Sequence, residues 1–264
     1  MRQDNGGEAP AGAAWDAFQV RRHRLEPPLC PTPAVIAAMH AAIGDPAGPI
    51  LLLGVTPAII AAFDDLVVVD WSAAARDAVG EARPVDGDWL DPPLERRLFA
   101  AALGDGSLNC LAGDDHARLF ATLGRLLASG GRAAIRCYVA PDLCETADQV
   151  LADVLARRSE GFAAFKWRLA MTLASEDRPD VPVAAIKQSF DALVPDRDAL
   201  AAATGWPRAA IDDVDAYQAS ALAYSFPTRR RLLDRARRFF ADAALVETDG
   251  YDLAERCPLL VLRR

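Results

Sequence analysis

Apolar positions divide this chain into two stretches of different pattern. From residue 50 to 140, short all-apolar runs alternate with amphipathic segments. The runs "ILLLG", "LVVVD" and "LFAAALGDG" lack polar alternation, as expected of parallel strands covered on both faces. "DDHARLFATLGRLLASGG" places Leu119, Leu123, Leu126 and Leu127 on one helical face, with Gly130 and Gly131 as its stop. "RAAIRCYVA" follows as a strand that Pro141 ends. This alternation predicts a parallel sheet wrapped by helices. Upstream, "TPAVIAAMHAAIG" reads as a helix with Thr32 as cap, Pro33 in the first turn and Gly44 as stop.

Residues 142–240 have helical periodicity instead, in "ADQVLADVLARR", "FAAFKWRLAMTLA", "AAIKQSFDALV", "RDALAAATG" and "RRRLLDRARRFFA". They form a helical insertion that either covers a substrate or completes the core. "ALVETDG" and "PLLVLRR" then read as a closing strand pair. No repeat interrupts this order. The first dozen residues, rich in Gly, Ala and acids, belong to an N-terminal segment, residues 1–24, expected to be partly disordered. "RLEPPLCPTP" is Pro-dense and reads as an extended surface segment.

Composition narrows the picture. With 264 residues and 52% hydrophobic content, the chain can bury a large core, and residues 1–264 are read as one domain. A net charge of −8 argues against an electrostatic grip on nucleic acid or an anionic membrane. The basic segment "TRRRLLDRARRFF" is therefore read as a solvated helix rather than an RNA contact. The 5 Cys form no C-x-x-C pair, and with 3 His they argue against a zinc site. No signal-peptide core or long apolar run appears, so a cytoplasmic protein without membrane contact is expected.

The informative stretch is "PILLLGVTPAIIAAFDDLVVVD", a strand, a turn, a short helix and a strand ending in an acid. A dinucleotide fingerprint would place glycines at 54, 56 and 59; the residues are Gly54, Thr56 and Ile59. Thr56 removes the close backbone approach, and Pro57 lacks the N–H that a phosphate wants. Thr56 and Pro57 instead suit a helix start. Asp70, at the end of the next strand, is placed to take both hydroxyls of a ribose. The ligand is then a nucleoside without a pyrophosphate. Asp88 and Trp89 in "GDW" can offer a carboxylate and a stacking face, and Asp105 in "GDGSLN" follows another strand. In open α/β sheets such strand ends line the ligand site.

These segments resemble class I S-adenosylmethionine-dependent methyltransferases. "ILLLGVTPAI" looks like their first motif in a glycine-poor variant, similar to bacterial members worded "LLLGVTP" and "GDGSL". "VVVDWS" resembles their ribose-binding strand end, "GDWLDPPL" their adenine loop and "FAAALGDGSLNCL" their fourth strand and its exit. "ALVETDGYDLAERCPLLVLRR" resembles their closing antiparallel hairpin. The match covers roughly residues 25–140 and 240–264. It implies a Rossmann-like α/β fold: a mostly parallel seven-stranded sheet, an antiparallel C-terminal hairpin and a helical insertion before it. It also implies S-adenosyl-L-methionine as cofactor, held by Gly54, Val55 and Thr56 at the methionine part. Asp70 with Trp71 and Ser72 would hold the ribose, Asp88 and Trp89 the adenine, and Asp105 and Gly106 would form the floor near the sulfonium.

Methyl transfer asks mainly for alignment of nucleophile, methyl and sulfur, with a base where the nucleophile carries a proton. His116, Tyr217 and Tyr224 are the candidate catalytic side chains. Lys166 and Arg168 in "FKWRLAM" are candidates for receiving an anionic substrate, and Trp15 with "RLEPPLCP" for closing over the cofactor. The expected function is methyl transfer to a small molecule. Alternatives are a non-catalytic S-adenosylmethionine-binding protein, a nicotinamide-dependent oxidoreductase, or an enzyme that transfers another group from the same cofactor.

Overall fold

The structure is a computed structural model that describes residues 25–158, 161–218 and 220–264. Its strands are β1 (Ile50–Leu53), β2 (Leu66–Asp70), β3 (Arg83–Asp86), β4 (Phe99–Asp105), β5 (Leu127–Arg136), β6 (Asp180–Pro182), β7 (Ala223–Ser225), β8 (Asp242–Val246) and β9 (Leu259–Arg263). Seven of them form one sheet in the order β3-β2-β1-β4-β5-β9-β8. β9 runs antiparallel to both β5 and β8, and the remaining pairings are parallel. This is a Rossmann-like methyltransferase fold, with the antiparallel C-terminal hairpin expected from the sequence.

The helices that cover the sheet are α1 (Pro33–Ile43), α2 (Pro57–Ile60), α3 (Ala73–Arg76) and α4 (His116–Leu126). Alternate residues of each strand serve opposite layers. Leu52, Val68, Leu103 and Ala134 pack with Val35 and Met39 of α1. Leu51, Val67, Ala102, Ala133 and Leu260 pack with Leu119 and Leu123 of α4. Burial on both faces explains why the strands are apolar throughout. α1 starts and stops where its sequence says. Thr32 Oγ1 accepts from the Val35 N–H at 3.3 Å, and Gly44, at φ +67°, donates its N–H to the His40 carbonyl at 2.8 Å.

Two boundaries differ from expectation. α4 ends at Leu126, before the glycine pair, because Leu127 turns extended and pairs beside Phe99. The register then shifts, and Gly130, at φ +75°, lies inside β5. The turn at Thr56 also differs: Thr56 sits at the helix start without a side-chain cap, and α2 is only 4 residues long.

Between β5 and β8 lie α5 (Ala147–Leu155), α6 (Phe162–Thr172), α7 (Val183–Leu193), α8 (Arg197–Thr204), α9 (Arg208–Asp212) and α10 (Arg229–Ala236). The sequence did not show β6 and β7, which pair antiparallel in a separate small sheet. This segment has its own core. Phe165, Trp167, Ile186, Phe190, Tyr217 and Tyr224 pack there, and Tyr138 joins them from the end of β5. No helix among the described residues is long and apolar enough to cross a membrane.

Candidate functional site

Parallel pairing aligns the ends of β1, β2 and β4. Leu53 pairs beside Val69 on one side and Gly104 on the other. The chain therefore leaves three neighbouring strands at Gly54, Asp70 and Asp105, as the sequence reading anticipated. Gly54 adopts φ +84°, a conformation that disfavours any Cβ, and its N–H bonds the Val69 carbonyl at 2.9 Å. A Cβ there would lie 3.0 Å from Trp89 Cζ2 and 3.9 Å from Asp70 Oδ2. Gly54 thus brings the first turn, the β2 carboxylate and the β3 loop into one place. Val55 is buried beside it.

Asp70 is fully buried. Its Oδ1 accepts the Ser72 N–H at 2.8 Å, which fixes the carboxylate against the start of α3. Ser72 in turn caps α3 by accepting the Ala75 N–H at 3.2 Å. The Asp70 carbonyl accepts from Arg76, which also pairs with Asp86 at 2.9 Å. Trp71 is the exposed residue of this group, with 48% of its surface open. Trp89 is 7% exposed, and its indole N–H donates to the Val69 carbonyl at 2.7 Å. Its ring packs on Gly54 rather than standing open as a platform. Asp88 faces solvent and accepts the Leu90 N–H at 2.9 Å, closing the local turn.

At β4 the motif "GDGSLN" ties strands together residue by residue. A Cβ on Gly104 would lie 2.7 Å from Ser107 Oγ, and that hydroxyl donates to the Leu53 carbonyl at 2.9 Å. Gly106, at φ +68°, leaves room for the Tyr138 ring, which a Cβ would meet at 2.9 Å. Asn109 donates to the carbonyls of Tyr138 and Ser225 at 2.7 and 2.6 Å and accepts the Tyr138 N–H at 2.9 Å. It binds the end of β5 to β7. Asp105 accepts from Arg136 Nε at 2.5 Å in a pair sealed from solvent.

Arg136 and Tyr138 were not singled out in the sequence, although a cation inside "AAIRCYV" was a visible signal. Arg136 also donates to the Tyr138 hydroxyl at 3.2 Å, and that hydroxyl donates to the Pro28 carbonyl at 2.8 Å. The segment around Pro28 thereby crosses the ends of β4 and β5, with Leu29 packed on the aromatic core. This is the "RLEPPLCP" segment; Trp15 lies outside the described residues.

The three candidate bases, His116, Tyr217 and Tyr224, are all buried. His116 is fully buried, with Nε2–H donating to the Leu108 carbonyl at 2.8 Å. Burial lowers its pKa to about 4, so at neutral pH it is uncharged and braces the turn after β4. Tyr224 and Tyr138 are held well above the usual phenol range, chiefly by burial, and keep their protons. Tyr217 is buried with its ring 6.5 Å from Tyr224. The Cys110 thiol is pushed up to about 12 by burial, then by the nearby Asp105 and Asp70 carboxylates. Cys110 also packs on both the sheet core and the helical core, so it marks where the two meet. Among the described residues, no group of three or more His, Cys, Asp or Glu is arranged to hold a metal ion.

No protein-family model matches this chain, and no curated protein matches its sequence. Solved structures do resemble it. A Rhodobacter sphaeroides protein, provisionally described as a Zn-dependent alcohol dehydrogenase, has a TM-score of 0.61 at 13% identity, covering 97% of this chain and 98% of that one. The Burkholderia thailandensis 1,6-didemethyltoxoflavin-N1-methyltransferase, solved with 1,6-didemethyltoxoflavin and S-adenosylhomocysteine, scores 0.50 at 16% identity over 100% and 92%. A chain of the Haloferax volcanii complex between the Trm112 methyltransferase activator and its provisional methyltransferase partner scores 0.53 at 12% identity over 96% and 96%. At these identities the likeness is one of fold.

Proposed function

We propose that this protein is an S-adenosylmethionine-dependent methyltransferase acting on a small molecule. One observation carries the reading: Gly54, the buried Asp70 and Asp105 stand at the ends of three adjacent parallel strands. Open α/β sheets bind their ligands there, at the carboxyl ends of the strands. The residues fit the cofactor at Gly54, where the missing Cβ keeps the first turn close to Asp70. They fit again at Asp70, whose carboxylate is pre-set by Ser72. The Thr56–Pro57 turn disfavours a pyrophosphate and so favours this cofactor over a nicotinamide dinucleotide.

In this reading the backbone of Gly54, Val55 and Thr56 lines the methionine part, and Asp70 holds the ribose. Asp88, with Trp89 behind Gly54, borders the adenine. The cofactor supplies an activated methyl group. Asp105, at the floor of this site, is also paired with Arg136. It neutralises Arg136 and keeps β4 and β5 in register, while Tyr138 fills the space that Gly106 leaves. The Pro28 segment, tied to Tyr138, helps exclude water.

A second reading, a cofactor-binding protein that does not turn over, is favoured by one observation. The candidate bases His116, Tyr217 and Tyr224 are all buried. Incubation with labelled S-adenosylmethionine and a panel of small acceptors separates the two. Methylated product supports the first reading; saturable binding without product supports the second.

A further inference from the structure

Both lysines of this chain are buried, whereas its other 27 cationic side chains are Arg. The two lysines have different surroundings. Lys187 is paired with Asp191 and with Asp215 at 3.3 Å. Lys166, 7% exposed, ion-pairs with no carboxylate among the described residues. Its neighbour Arg168 is already engaged by Glu145 and by Asp153 at 2.9 Å, so it does not share the role expected of the two.

Lys166 Nζ lies over the Tyr217 ring, 4.7 Å from its centroid, and 5.9 Å from that of Phe162. Ring faces attract a cation but leave its N–H groups without acceptors. The adjacent Trp167 indole N–H is also buried and has no hydrogen-bond partner. A buried cation that, among the described residues, has no carboxylate beside it is suited to an oxygen anion.

A continuous tract of rings joins this place to the strand-end site. Tyr217 stands 6.5 Å from Tyr224, Tyr224 4.9 Å from Trp167, and Trp167 5.3 Å from Tyr138. Tyr138 is the ring that packs on Gly106. We propose that Lys166, set against the Tyr217 and Phe162 rings, receives a carboxylate or phosphate group of the methyl acceptor. The aromatic tract would bed the acceptor's planar or apolar body between that anchor and the strand ends. The methyltransferase reading makes this ligand the acceptor; the anion subsite itself can be tested without it.

The presence of only two lysines makes the test direct. In the full chain, 13C-methyl tags mark both lysine amines and the N-terminal amine, and the Lys166→Met and Lys187→Arg variants assign the two lysine signals. Benzoate, acetate, inorganic phosphate and the neutral benzyl alcohol are titrated separately. At least one anion is expected to shift the Lys166 signal saturably, to leave Lys187 unmoved, and to bind at least tenfold tighter than benzyl alcohol. By calorimetry of the same titrations, Lys166→Met should abolish the saturable anion binding and Lys166→Arg should keep part of it. Equal movement of both signals, linear drift with salt, or no response of Lys166 to any anion would overturn the proposal. Titration with S-adenosylhomocysteine runs alongside. Its failure with an intact anion response would sink the methyltransferase reading alone. Its success with a silent Lys166 would sink the subsite alone.

Discussion

Arg136 and Lys166 are both buried cations, one at the end of a sheet strand and one in the helical segment. Arg136 has Asp105 at 2.5 Å, the Tyr138 hydroxyl and the tyrosine rings of 138 and 251 around it. Lys166 has ring faces and, among the described residues, no carboxylate. A buried pair whose partners are both present gives structure, because removing one member strands the other's charge in a low dielectric. A buried cation without a counter-ion gives little to stability and stays available to a ligand. Arg136 is held by a carboxylate, whereas Lys166, among the described residues, is not.

The largest effect that tests this contrast is Arg136→Met. It leaves Asp105 buried and unpaired, and should cost about 3–5 kcal/mol in urea unfolding. A loss below about 1 kcal/mol would mean that the pair is not what fixes β4 against β5.

His116 comes next and gives a pH dependence. Its folded pKa, about 4, lies below its unfolded value of 6.5, so the unfolded chain takes up the proton more readily. The contribution is whole above about pH 6.5 and is lost as pH falls toward 4, amounting to about 3 kcal/mol. Comparing urea midpoints at pH 7 and pH 5 should show this loss in the wild type and a smaller one in His116→Gln, whose amide can still reach the Leu108 carbonyl. Equal slopes would place the acid sensitivity elsewhere.

Gly54→Ala is expected to be milder, at about 1–2 kcal/mol for the positive φ alone, with the Trp89 ring displaced. Its thermal midpoint should fall by a few degrees. The smallest effect should be that of Lys166→Met, within about 1 kcal/mol of wild type, because an unpaired buried charge is exchanged for an apolar side chain of similar length. If Lys166→Met were as damaging as Arg136→Met, the distinction between the two regions would fail.

The sheet was legible in the sequence because burial on both faces leaves unbroken apolar runs, and because glycines and acids mark where those runs end. Thr32, Pro33 and Gly44 bounded α1 correctly for the same local reasons. β6 and β7 were not legible. Each has 3 residues, too short for a period, and their pairing joins positions far apart in the chain. The end of α4 was misplaced because pairing of Leu127 beside Phe99 overrides a glycine signal that is purely local. Residue types at the strand ends were readable, but their partners were not. Asp105 is one acid among many in the sequence, and only the fold brings Arg136 to it. Trp89 could be named as an aromatic of the site, while the packing of its ring on Gly54 depends on the Val69 carbonyl that its N–H reaches.

The most direct test of the central claim is calorimetric titration of the full chain and of Asp70→Ala with S-adenosylhomocysteine, with NAD in parallel. Micromolar binding of S-adenosylhomocysteine without NAD binding is expected. Asp70→Ala should weaken it by roughly tenfold or more, corresponding to about 1.5–3 kcal/mol for hydrogen bonds to a charged group. Absence of S-adenosylhomocysteine binding, or an affinity untouched by Asp70→Ala, would contradict the assignment of the strand-end site.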